Sequence, residues 1–112
     1  MLRVEDRRRH GRTELVCPAT LRDKRGRVLF RGRTTDVSPC GVKVVGPAGG
    51  AVSEGKAVWV EMRVPSHRST GPRHRRVKLR GYVRRVTGIG GWTTVTVVVE
   101  SDVPLDALMT GT

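Results

Sequence analysis

An arginine cluster near the N-terminus has the chemistry of an anion-binding site. Residues 7–12 read RRRHGR, which gives Arg8 and Arg12 the spacing RxxxR, with Arg7 directly before them. A guanidinium group binds phosphate through two parallel hydrogen bonds, whereas a lysine supplies only a point charge. The whole chain is basic, with 22 Lys and Arg against 10 Asp and Glu and a formal net charge of +12. This balance indicates a polyanionic partner or an anionic surface, and it points to phosphate.

A second polar cluster is separated from Arg12 by 23 intervening residues, and residues 36–41 read DVSPCG. Asp36, Ser38 and Gly41 have the spacing DxSxxG. We interpret the segment as a turn, because Asp and Ser side chains can hydrogen-bond nearby backbone. Glycine can adopt a positive φ there or let another group approach its backbone closely. Taken alone, this cluster is typical of a self-bonded turn, and the arginine cluster is typical of a solvated basic tail.

Strands must position both clusters. Runs of β-branched and aromatic residues predict six strands. The predicted strands are residues 15–21, 28–35, 42–45, 57–64, 77–86 and 92–100. Apolar and basic residues alternate in the fifth strand up to Gly81, where the phase changes, so we predict a β-bulge or a bend at that glycine. Several short antiparallel strands favour an all-β fold, a small barrel that hides its edges by closing on itself. At most a short helix is expected after Pro104.

The chain of 112 residues is long enough for one domain with one small core. Residues 1–13 are largely charged and are predicted to form a flexible basic arm, because they offer too little apolar surface to fold alone. Residues 14–104 would form the barrel, and residues 105–112 a short tail or helical turn. A basic, exposed loop is predicted over residues 66–76. Four aromatic rings are expected in the core: Phe30, Trp59, Tyr82 and Trp92.

Several classes of function are excluded by the sequence. Cys17 and Cys40 lack CxxC spacing, which argues against a metal site or a disulfide framework. The histidines lie in basic segments without a nucleophile or paired carboxylates, so we expect no catalytic residues and no enzyme. No signal peptide or membrane-spanning stretch is apparent, which predicts a cytoplasmic protein without membrane insertion.

The pairing of RxxxR with DxSxxG, in this order and at this separation, resembles the PilZ family of bacterial cyclic di-GMP receptors. The resemblance implies a six-stranded antiparallel β-barrel, usually followed by a C-terminal helix that looks stunted here. It also implies that the ligand is cyclic di-GMP and that no other cofactor is needed. The ligand-binding residues would be Arg7, Arg8, Arg12, Asp36, Ser38 and Gly41.

Each of these residues has a role implied by the resemblance. Arg8 and Arg12 would grip phosphate and guanine and order the arm, and Arg7 could help to hold a second, stacked ligand molecule. The Asp36 carboxylate would accept from the guanine N1 and N2 donors, and the Ser38 hydroxyl would donate to a phosphate or guanine acceptor. Gly41 would let a base or sugar lie against the backbone. Closure of the arm over the ligand would then be read by a protein partner in signalling.

Two other functions remain open from the sequence. A basic barrel could bind the phosphate backbone of RNA or DNA. Against this, the four rings are predicted to lie in the core, where they could not stack on bases. Alternatively, the chain could be a PilZ-like interaction module without a ligand. The downstream target, the ligand stoichiometry and the oligomeric state are not encoded in any pattern of the sequence.

Overall fold

The computed structural model describes residues 16–65, 74–101 and 104–105, which form a closed barrel of six antiparallel strands. The strands are β1 (Pro18–Arg22), β2 (Val28–Ser38), β3 (Gly41–Pro47), β4 (Ala57–Pro65), β5 (His74–Ile89) and β6 (Trp92–Glu100). Around the barrel they follow the order β1-β2-β3-β6-β5-β4, and β4 pairs back to β1. The predicted all-β, six-stranded antiparallel barrel is therefore confirmed. Among the described residues, no helix is long and apolar enough to cross a membrane.

The core is built from valine and leucine at alternate strand positions. In β4, the inward residues Val58, Val60, Met62 and Val64 are buried, while the residues between them face outward. This period of two is what a strand with one buried face requires. The chain beyond β6 also reaches the core, because Leu105 is fully buried. The predicted short helix after Pro104 otherwise lies outside the described residues.

Four strands, β2 to β5, are longer than the sequence predicted, and β2 and β5 gain polar residues that were assigned to a turn and a loop. β2 continues through Asp36 and Ser38, which were predicted to lie in a turn. β5 begins at His74, inside the predicted basic loop, because His74–Arg76 pair with Arg63–Pro65 of β4. Cross-strand pairing recruits these polar residues, although their types alone favour loops.

A β-bulge interrupts β5, but it lies between Val83 and Arg85 and not at Gly81. The prediction for Gly81 was wrong because the alternation continues through it: Gly81 and Val83 both face inward. A Cβ at Gly81 would clash with the carbonyl oxygen of Val98 on β6, so the position requires a glycine for close packing. The extra residue of the bulge is Arg84.

The aromatic rings were wrongly predicted to be core residues. Only Phe30 is buried, and Trp59 is half-buried beneath Lys78 and Arg80. Tyr82 and Trp92 are 45% and 58% exposed, because both fall on outward positions of their strands. Because Tyr82 and Trp92 are exposed, burial of the aromatic rings does not exclude nucleic-acid binding.

Candidate functional site

The DxSxxG cluster is a strand, a two-residue turn and the start of the next strand. Asp36 and Ser38 lie at the end of β2, and Gly41 begins β3. Ser38 is opposite Gly41, and Asp36 is opposite Lys43. Because strand side chains alternate, Asp36 and Ser38 share the outer face while the residue between them is buried. The spacing of two thus reflects strand geometry, and the prediction of a polar turn over the whole segment was wrong.

An open pocket of about 140 Å³ lies over this cluster. Its lining residues come from β2, β3, β5, β6 and the β2–β3 turn: Asp36, Ser38, Cys40, Gly41, Val42, Lys43, Arg84, Thr96, Val97 and Val98. The barrel therefore brings the three residues of DxSxxG to one surface. It adds two cations that the sequence analysis did not single out, Lys43 and Arg84.

Two β-bulges lie at the level of this pocket. In β2 the register shifts between Thr34 and Asp36, so the alternation changes phase and Asp36 faces outward rather than into the core. In β5 the bulge leaves Arg84 and Arg85 both exposed. Asp36, Lys43, Thr96 and Arg85 are consecutive cross-strand partners over four strands, a width of about 14 Å at the usual strand spacing. Bulges often re-aim side chains at functional sites, and here they set a carboxylate and two guanidinium groups on either side of β3 and β6.

A second open pocket, of about 410 Å³, adjoins the first. It is lined by Lys43, Arg84, Arg85, Thr87, Thr94 and Thr96, three of which also line the first pocket. Three cations and three hydroxyl groups make this surface suited to an anion. The available signal in the sequence was the absence of any acidic residue between Glu61 and Glu100. Cross-strand register, which aligns Lys43 with Arg85 across Thr96 of β6, cannot be read from such a run.

The polar groups of the cluster are only partly engaged. Within the described ranges, no hydrogen bond or ion pair involves the Asp36 carboxylate. The Ser38 hydroxyl donates to the Gly41 carbonyl oxygen over 3.3 Å, as in a self-bonded turn. Gly41 does not use a positive φ; instead, a Cβ there would lie 2.8 Å from the Val97 carbonyl oxygen of β6. Close packing of β3 against β6 therefore favours a glycine at position 41, whether or not a ligand binds there.

The chain enters the barrel beside this site. The Cys17 amide donates to Thr34 Oγ1 over 3.0 Å, and the Thr34 amide donates to the Cys17 carbonyl over 2.9 Å. Thr34 lies two residues before Asp36, so this reciprocal pair fixes the start of the described chain next to the pocket. Arg7, Arg8 and Arg12 lie outside the described residues.

Comparison with protein families matches residues 6–109 to the PilZ domain. The chain belongs to the PilZ family. This match confirms the resemblance on which the sequence analysis relied. PilZ domains form a family of cyclic di-GMP receptors, and they are ligand-binding effector modules rather than enzymes.

A solved structure shares the PilZ barrel. The structure of the inhibitor of motility MotI/DgrA from Bacillus subtilis superposes with a TM-score of 0.64 at 18% sequence identity. The similarity covers 81% of this chain and 41% of that protein, so this chain spans less than half of its length. At this identity the likeness concerns the fold. Comparison with curated proteins gives no match.

Proposed function

We propose that this PilZ domain binds cyclic di-GMP in the pocket over Asp36, Ser38 and Gly41, and that Arg8 and Arg12 close over the bound ligand. The observation that carries the proposal is the shared pocket. The Asp36 carboxylate, which has no hydrogen-bond or ion-pair partner among the described residues, lines it together with Lys43 and Arg84. Cyclic di-GMP needs both kinds of group, because it presents guanine donors and phosphate anions. Asp36 would accept from guanine N1 and N2, and the cations would meet the phosphates.

The entry point of the chain supports a role for the arm. Arg12 precedes Cys17 by five residues and Arg8 by nine, which are spans of at most about 18 and 32 Å in extended chain. Cys17 is tied to Thr34, close to Asp36, so both arginines are within reach of the pocket. Arg7 would contact a second, stacked ligand molecule. The Ser38 hydroxyl would exchange the Gly41 carbonyl for a ligand acceptor.

Closure of the arm has an energetic requirement. Ordering about ten residues costs on the order of 10 kcal/mol of backbone entropy. Each charge-assisted hydrogen bond returns about 1.5–3 kcal/mol. Several arginine contacts must therefore form together, which makes closure a cooperative response to ligand. We infer that a protein partner or an attached domain reads the closed surface.

Calorimetric titration with cyclic di-GMP tests the proposal. The unmodified chain should bind, and Arg12→Ala and Asp36→Ala should each lower the affinity at least tenfold, as loss of about 1.4 kcal/mol requires. Arg9→Ala is the matched control within the arm, and its affinity should change less. Cyclic di-AMP should not compete, because adenine lacks the donors that Asp36 would accept. Absence of binding, or an Asp36→Ala variant with unchanged affinity, would refute the proposal.

A second experiment addresses the barrel cations. Arg84→Ala should lower the affinity for cyclic di-GMP about tenfold, because one charge-assisted contact to phosphate is lost. Arg80→Ala is the control on the same strand, since Arg80 lies over the Trp59 ring and not in this pocket. Equal effects of the two substitutions would indicate general electrostatic attraction.

Nucleic-acid binding is a second candidate, favoured by one observation. Arg76, Lys78 and Arg80 form an outward basic row on β5, and the half-buried Trp59 lies beside it on β4. Single-strand binders combine such cations with aromatic rings. Binding of RNA or DNA would weaken steeply with salt and would survive Asp36→Ala.

A further inference from the structure

One end of the barrel carries an exposed apolar tip. Ile89 and Trp92, which flank the turn of the β5–β6 hairpin, are cross-strand partners and are 76% and 58% exposed. Trp92 is also opposite Pro47 of β3, and Ala48 follows directly; both are exposed. We call Pro47, Ala48, Ile89 and Trp92 the apolar tip.

The apolar tip is held in a defined shape. Gly90 and Gly91 form the two-residue turn with φ values of +55° and +87°, the conformation that tight hairpins favour. The Ala48 amide donates to the Gly91 carbonyl over 2.8 Å, which joins the loop after β3 to the hairpin. The exposed Ile89 and Trp92 side chains therefore stand on a hydrogen-bonded scaffold.

The two chain segments that form the apolar tip are uncharged. The sequence is 29% charged, yet residues 46–53 and 86–99, which include the apolar tip, contain no charged side chain. Glu54 follows the first of these segments, and its carboxylate accepts from the Val86 amide over 3.2 Å. Solubility alone does not require two large exposed apolar side chains within an uncharged segment.

Basic residues surround the apolar tip. Arg31 of β2 lies next to Gly46 at the end of β3, and Arg33 is opposite Val45. On the other side, Lys43 and Arg85 both pair with Thr96, below the hairpin end. No acidic residue occurs from residue 62 to residue 99, so the only acidic residue of the β5–β6 hairpin is Glu100, at the far end of β6 from the turn.

We propose that the apolar tip docks into the headgroup layer of an anionic lipid bilayer, with the surrounding basic residues contacting lipid phosphates. An apolar point with a basic surround and a net charge of +12 complements that surface. Tryptophan is suited to this layer because its ring is apolar and its N–H is polar. A stable protein interface buries about 800 Å² per partner, which two large side chains on one tip do not supply. The proposed docking is peripheral, at the depth of the lipid headgroups.

The two tryptophans provide a matched test. Trp59→Phe leaves Trp92 as the sole tryptophan of the chain, and Trp92→Phe leaves Trp59. Trp59 is opposite Arg80, nine residues before Ile89, which is about 30 Å along β5. With phosphatidylglycerol vesicles, emission from Trp59→Phe should shift to shorter wavelength, and emission from Trp92→Phe should not. Phosphatidylcholine vesicles should cause no shift in either variant.

Co-sedimentation with the same vesicles supplies the second measurement. Ile89→Ser should lower the fraction bound to phosphatidylglycerol vesicles at least tenfold. Val16→Ser is the control, because Val16 is another exposed large hydrophobic residue but lies far along the chain from the hairpin. Both positions are exposed, so both variants should keep the melting temperature of the unmodified chain.

Three outcomes would overturn the inference. Trp92 emission could be unchanged by phosphatidylglycerol vesicles. Ile89→Ser could co-sediment like the unmodified chain. Trp92 emission could shift with protein concentration in the absence of vesicles, which would assign the apolar tip to contact between two copies. None of these results depends on cyclic di-GMP.

Discussion

At the scale of single residues, the two cysteines have opposite environments. Cys40 is an exposed free thiol in the β2–β3 turn and lines the pocket over Asp36. Cys17 is a buried free thiol, and desolvation raises its pKa despite a hydrogen bond from the Thr34 hydroxyl. Since the thiolate is the reactive form, the two residues can report separately on the pocket and on the chain entry.

We expect iodoacetamide to label Cys40 at least tenfold faster than Cys17 at neutral pH. Because burial raises the pKa of Cys17, its own labelling should become appreciable only at alkaline pH. Saturating cyclic di-GMP should slow labelling of Cys40, because the thiol lines the proposed pocket. Mass spectrometry of digested samples measures both rates, and Cys40→Ser should remove the fast phase. An unchanged Cys40 rate with bound ligand would contradict the proposed location.

At the scale of elements, strand geometry explains what could be predicted from the sequence. β6 was predicted with its observed bounds, because a continuous run of threonine and valine ends at Glu100. Asp36 and Ser38 were predicted to lie in a turn, because their residue types favour turns; pairing with β3 overrides that preference. Lys43 and Arg84 were not singled out, since their meeting depends on register and on a bulge between Val83 and Arg85. Local patterns predict strands, whereas the neighbours of a strand are set by the whole barrel.

Gly41 offers a test at this scale, because β3 and β6 approach closely there. Gly41→Ala should lower the free energy of unfolding by about 1–3 kcal/mol, as expected for overpacking. The physical reason is the position of the new Cβ, 2.8 Å from the Val97 carbonyl oxygen. Gly88→Ala is the control, because its Cβ would lie 3.8 Å from the nearest atom, the Trp92 carbonyl oxygen. Urea unfolding compares the two, and equal stabilities would contradict the packing argument.

At the scale of the whole molecule, one hydrogen-bonded pair connects the start of the described chain with the site. Cys17 and Thr34 exchange backbone and hydroxyl hydrogen bonds in a buried position. Any movement of the preceding segment is therefore transmitted to β2 close to Asp36. The fold thus supplies a physical link between Cys17 and the strand that carries Asp36.

We expect Thr34→Val to weaken this link. The substitution leaves the Cys17 amide without its hydroxyl acceptor, which should cost about 1–3 kcal/mol of unfolding free energy. Affinity for cyclic di-GMP should also fall, because the proposed arm loses its anchor beside the pocket. Thr35→Val, at the exposed neighbouring position, should change stability by less than about 0.5 kcal/mol. Thermal unfolding and calorimetry measure both effects, and unchanged affinity in a folded Thr34→Val variant would argue against the anchor.

Closure of the barrel determines how other molecules can recognise it. Each strand already has two hydrogen-bonded neighbours, and the pairing of Ala19–Arg22 with β4 joins the first strand to the ring. Along the stretches that are paired on both sides, a peptide therefore cannot add itself as a further strand, a common mode of recognition that needs a vacant edge. A partner that binds there must contact side chains and loop ends. A few surface substitutions can therefore change the binding specificity without altering the barrel.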